Sequence, residues 1–148
     1  MGDPRLREPP GRHYKGYRVY AYIALARLFA ELDLDLNQQD LDLRVEKALE
    51  RYSGHVSKEE ILHAIRSNSH MTDKVVEYLE GEGLVRLSKD ERGYDIRITR
   101  AGVLHLRKFD RLYRELYARE LREHYRYVRS PEWLTSTDGT RADPSSPP

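Results

Sequence analysis

EYLEGEGLVRLSKDERGYDIRITRAGVLHLRKF, residues Glu77 to Phe109, holds a helix end, two alternating segments and a helix start in succession. It opens on the end of a helix: Val75, Val76, Leu79 and Leu84 mark a buried side, and Gly81 and Gly83 stop it. Leu84 to Leu87 and Tyr94 to Ile98 then alternate, with Tyr94, Ile96 and Ile98 on one side and Asp95 and Arg97 on the other. A period of two predicts strands, and the charged Lys89-Asp90-Glu91-Arg92-Gly93 between them predicts a hairpin with its tip over 88–93. Thr99 caps whatever helix follows, because its hydroxyl accepts an unpaired backbone N–H of the first turn.

Upstream of this run, Val56-Ser57-Lys58-Glu59-Glu60-Ile61 predicts a helix start. Ser57 is the cap, Glu60 returns the bond, and Val56 staples to Ile61. That helix runs from Ser57 to about Arg66. The turn formers Ser67-Asn68-Ser69-His70 separate it from the next helix, which starts near Met71 or Thr72. Helix, short turn and helix make a helix-turn-helix unit. Further upstream, Leu41, Val45, Ala48, Leu49 and Tyr52 predict a helix ended by Gly54, and DLDLNQQD before it reads as a polar loop. Across Tyr17 to Leu32 a one-sided stripe of Tyr17, Tyr20, Ala21, Ala24, Leu25, Leu28 and Leu32 predicts the first helix.

Downstream of Thr99 no proline interrupts the chain before about Arg129, so a single rod of roughly 40 Å is expected. The expected fold class is therefore mainly α with a small β-hairpin. It comprises a flexible basic arm over 1–13, a winged helix-turn-helix domain over 14–107, an extension of the long C-terminal helix over 108–129, and a disordered tail over 130–148. Trp133 and Leu134 are the tail residues suited to tacking back onto the helix.

Cysteine is absent, which removes disulfides, thiolate metal sites and a cysteine nucleophile together. The six histidines are scattered, and no HExxH, GxSxG or phosphate-loop spacing occurs, so no enzyme, metal or cofactor is expected. No stretch approaches the roughly 18 apolar residues of a membrane span, and MGDPRLREPPGRH lacks a signal peptide's apolar segment, so a cytoplasmic, nucleoid-associated protein without membrane contact is expected. The net charge of +1 hides an uneven layout: +3 over residues 1–18, −5 over 31–60, zero over 66–100 and +4 over 101–130. Affinity for phosphate must then come from local placement rather than bulk charge.

The run from Glu77 to Phe109 resembles the helix, Gly-Leu, hairpin, Thr-x-x-Gly, helix pattern of archaeal winged helix-turn-helix regulators of the PadR-like and MarR-like kind. The resemblance covers roughly Val56 to Tyr127, and Tyr78, Leu79, Gly83, Leu84, Thr99 and Gly102 carry it. It implies a DNA-binding protein whose long C-terminal helix pairs with its partner's as a coiled coil. The segment from Asp33 to Gly54 is extra to the simplest members, and it leaves an effector ligand open.

The expected function is a homodimeric transcriptional regulator that reads double-stranded DNA. The candidate contacts are Ser69, His70, Thr72 and Lys74 at the start of the recognition helix, with Lys89, Arg92 and Arg97 on the wing. Ser69 or Thr72 serves equally as a plain helix cap. The arm residues Arg5, Arg7, Arg12 and Lys15 suit minor-groove tracking. Dimerisation is assigned to Leu106, Phe109, Leu112, Tyr113, Leu116, Tyr117, Leu121 and Tyr125, a stripe too apolar to leave exposed; folding back on the first helix is the alternative. Asp73, Glu77 and Glu80 oppose phosphate binding and, with the neutral balance of residues 66–100, keep open a protein docked on the acidic helix, while the basic arm and wing serve equally for nucleic acid bound without sequence preference, as chromatin or RNA.

Overall fold

The computed structural model describes residues 17–51, 56–91 and 93–125. Its elements run α1 (Tyr17–Ala30), α2 (Leu41–Arg51), β1 (Val56–Ser57), α3 (Lys58–Ile65), α4 (Ser69–Gly81), β2 (Val85–Asp90), β3 (Gly93–Ile98), α5 (Arg100–Leu116) and α6 (Ala118–His124). The basic arm, Tyr52, Gly54, Arg92, Val128 and the tail with Trp133 and Leu134 lie outside the described residues.

α1 is the axis around which the rest is built. Its expected stripe is buried from Tyr20 to Leu28, but Val19, Tyr22, Ile23, Ala26 and Phe29 are buried as well. The helix is enclosed rather than one-sided because α3, α4, α5 and β3 all pack on it, and from Arg18 onward only Arg18, Arg27 and Ala30 are partly open among its described side chains. α1 stops at Ala30, and Leu32 and Leu36 continue the core from the loop.

Ser57 caps α3 by accepting from the Glu60 amide at 3.1 Å. The Glu60 side chain departs from the expected reciprocal bond: it lies 3.4 Å from the Ser57 hydroxyl and 3.2 Å from Arg27. Val56 does more than staple, for β1 pairs antiparallel with β3 in the register Val56↔Ile96 and Ser57↔Asp95. The hairpin thus becomes a three-stranded sheet in the order β1-β3-β2.

α3 ends on Arg66 in a left-handed conformation, φ 53° and ψ 49°. α4 begins at Ser69, earlier than Met71, because Asn68 supplies the cap and accepts from the Met71 amide at 2.8 Å. Neither Ser69 nor Thr72 is the capping residue.

The corner from sheet to α5 is tight. Thr99 accepts from the Gly102 amide at 3.0 Å and donates to the Gly83 carbonyl at 2.7 Å, while its own amide donates to Leu84 at 3.0 Å. Gly83, at φ 76°, adopts a backbone that a side chain would strain.

The expected continuous rod is corrected. α5 ends at Leu116, Tyr117 takes φ −105° and ψ 14°, and α6 sets off from Ala118. The cause is the drift of the apolar stripe around a straight helix. A straight continuation would carry Tyr125 round the helix relative to Tyr113, whereas past the break at Tyr117 both Tyr117 and Tyr125 lie inside the core, 4% and 7% exposed. Tyr117 stacks on Tyr113 with ring centroids 5.8 Å apart, and α6 sets His124 edge-on against Tyr20 of α1 at 5.5 Å.

Candidate nucleic-acid interface

Burial of Thr72, Val75, Val76 and Leu79 fixes which side of α4 faces outward. Ser69, His70, Lys74, Glu77 and Glu80 are left on the open side. Thr72 is not among them: it is fully buried, and its hydroxyl donates to the Asn68 carbonyl at 2.9 Å, so it braces the helix start and cannot reach a ligand.

The hairpin approaches α4 through Tyr94. Its hydroxyl donates to Asp73 at 2.7 Å, and Lys58 of α3 pairs with the same carboxylate at 2.9 Å while lying 5.6 Å from the Tyr94 ring centre. The Tyr94 bond, seconded by Lys58, holds the Asp73 carboxyl below its ordinary value, and burial, with help from Asp73, raises the Tyr94 phenol. Asp73 therefore keeps its charge but spends it on a local cation, which lessens its repulsion of phosphate. Lys58 is the addition that sequence periodicity missed, because only the fold brings the start of α3 beside α4.

Strand register sorts the hairpin's basic residues. Lys89 is opposite Tyr94, so both leave the sheet on the face that meets α4. Arg97 leaves β3 on the other face, where it donates to the Leu49 carbonyl of α2 at 2.7 Å. Its assignment to the wing contact is corrected for that reason. Ser69, His70, Lys74 and Lys89 are thus gathered on one side with Lys58.

The dimer residues also divide. Leu106, Tyr117 and Tyr125 belong to this chain's own core, Phe109, Tyr113 and Leu121 are half-buried, and only Leu112 and Leu116 are exposed, 53% and 43%. Burial in the fold, rather than pairing with a second chain, accounts for the first three.

Between α1, α4 and α5 lies an aromatic junction of Tyr22, Tyr78, His105, Tyr113 and Tyr117 with Arg18. It leaves about 30 Å³, far below the several hundred Å³ of small-molecule sites. Burial lowers the His105 imidazole and pushes Tyr113, whose hydroxyl lies 2.6 Å from it, up to about 12. Among the described residues no cluster suited to a metal occurs, and no helix is long and apolar enough to cross a membrane.

The Asp73 link has a pH consequence. Its folded carboxyl lies below the ordinary 3.8, so its contribution is fully present above that value and is lost as pH falls through the folded one. Asp73→Asn should be less stable than the parent at neutral pH, with the difference vanishing at the acid end of a urea-midpoint series. A difference independent of pH would mean that charge plays no part. Comparison with protein-family models and with curated protein sequences finds no match to this chain.

Proposed function

We propose that this is a winged helix-turn-helix protein that binds duplex DNA, with α4 as recognition helix and the β2–β3 tip as wing. One observation carries the reading. The exposed Ser69, His70 and Lys74 in the first two turns of α4 share a side with Lys89 and Lys58, where the α3–turn–α4 unit meets the sheet. A helix N-terminus with amides and cations around it suits phosphate, and the side chains beyond it suit base edges. The regulatory role expected from the resemblance needs two such faces, and Leu112 and Leu116 on the open side of α5 are the residues suited to pairing two chains.

A second reading rests on Glu77 and Glu80, which are exposed on the same helix. They favour a docked basic protein over DNA.

Selection from a random duplex pool at moderate salt separates the two. Enrichment of a pseudo-palindrome is the expected result and marks a dimeric regulator, whereas retention without enrichment marks a chromatin-type binder. No retention moves the function to protein docking. For the retained duplex, Lys74→Ala with Lys89→Ala and Arg92→Ala should weaken binding at least about tenfold and lower the salt slope by about one for each phosphate no longer neutralised. Unchanged affinity would overturn the DNA reading.

A further inference from the structure

Three arginines, Arg86 of β2, Arg97 of β3 and Arg100 at the start of α5, line a cleft of about 260 Å³ between the hairpin and α2. Among the described residues Glu46 is the one carboxylate lining it, so these side chains carry two excess positive charges. Arg86 and Arg97 are directly opposed in the strand register, and like charges so placed repel. Arg97 is held by the Leu49 carbonyl at 2.7 Å, and Arg100 by the Glu46 carboxylate at 3.0 Å and the Asp42 carbonyl at 3.1 Å. Arg86 is exposed and has no ion-pair partner among the described residues.

An arrangement that fixes two guanidinium groups, opposes a third to one of them and leaves the third without a counterion is short of an anion. We propose that this cleft binds a phosphate group, as a small phosphorylated ligand presents it. Guanidinium forks match the paired oxygens of a phosphate, and fixed ones lose little freedom on binding. The cleft volume lies just below the range of about 300–1,000 Å³ typical of small-molecule sites, enough for a compact ligand. Thr99, which also lines it, caps α5, so the positive end of that helix adds to the field.

The segment that supplies Glu46, Leu49 and Asp42 is the stretch over 33–54 that the helix-turn-helix unit itself does not require. Its helix builds one wall of the cleft. Because Arg97 and Tyr94 leave β3 on opposite faces, the cleft opens away from α4. It can be filled whether or not α4 holds a partner, so the proposal stands apart from the DNA reading.

The test is calorimetric titration of the full chain with inorganic pyrophosphate at low ionic strength. The parent protein should bind one equivalent. Arg86→Gln and Arg100→Gln should each weaken binding about tenfold or more, as expected for a lost charge-assisted hydrogen bond. Lys47→Gln, on the side of α2 that lines a different cleft, should leave it unchanged. Arg86 is exposed and has no ion pair that its loss would break, so Arg86→Gln keeps the test valid if Arg100→Gln fails to fold. No binding by the parent, or equal weakening by all three substitutions, would overturn the proposal. Repeating the titration with saturating random duplex assigns the source of the phosphate. Undiminished binding supports a free phosphorylated compound, and competition that Arg86→Gln abolishes supports a nucleic-acid backbone seated in the same cleft.

Discussion

Gly102→Ala is expected to destabilise the protein by about 3 kcal/mol, measured as a fall in the urea midpoint. Helix propensity alone gives the opposite sign, since replacing glycine by alanine inside a helix stabilises by about 1 kcal/mol. The packing decides. A Cβ at Gly102 would lie 2.3 Å from the Leu84 carbonyl oxygen and 2.7 Å from Ile98 Cγ1. That carbonyl accepts the Thr99 amide at 3.0 Å, so it cannot retreat without opening the corner that joins sheet to α5. Ile98, only 5% exposed, has no room to give. Gly81→Ala is the control: it also lies in a helix, but nothing stands within 4 Å of its Cβ. It should be neutral or slightly stabilising, and a matching effect at both sites would sink the packing account.

The Thr-x-x-Gly spacing makes that corner legible in the residues alone, because the cap and the close approach are both local. The Ser57 cap, the stop at Gly83 and the alternation of Tyr94, Ile96 and Ile98 are legible for the same reason. β1 is not, for two residues carry no period and Val56 becomes a strand only when β3 lies beside it. α1 reads as one-sided because a sequence shows which residues are polar but not how many neighbours a helix will have.

At the candidate site the outward residues of α4 follow from helical spacing, apart from Thr72. Its hydroxyl reads as an exposed polar group until the backbone bond to Asn68 is seen. Arg97 is misassigned by its sequence because a side-chain alternation gives two faces without saying which one meets α4. The pairing of Lys58 with Asp73 has no local signal at all. It depends on the angle at which α3 and α4 meet.

Tyr125→Ala should cost about 3 kcal/mol, as truncation of a buried aromatic does. The size of the loss follows from the bend at Tyr117, which brings α6 over α1 and leaves Tyr125 only 7% exposed. Its ring meets His124 edge-on at 4.7 Å, its hydroxyl points to the Ala64 carbonyl at 3.5 Å, and burial raises its phenol to about 12. Tyr125→Phe keeps the packing and loses only that long bond, so it should cost under about 1 kcal/mol. A straight rod pairing two chains makes a different forecast. Tyr125 would then stabilise the dimer, and the effect of Tyr125→Ala would grow or shrink with protein concentration. With the ring seated in its own chain, the loss is the same at every concentration. Leu112→Asp with Leu116→Asp gives the complement: both residues are largely open, so the substitutions should spare the fold of one chain while removing any pairing of two. A concentration-dependent loss in Tyr125→Ala would place the tyrosine between chains and undo the bend as the reason for its burial.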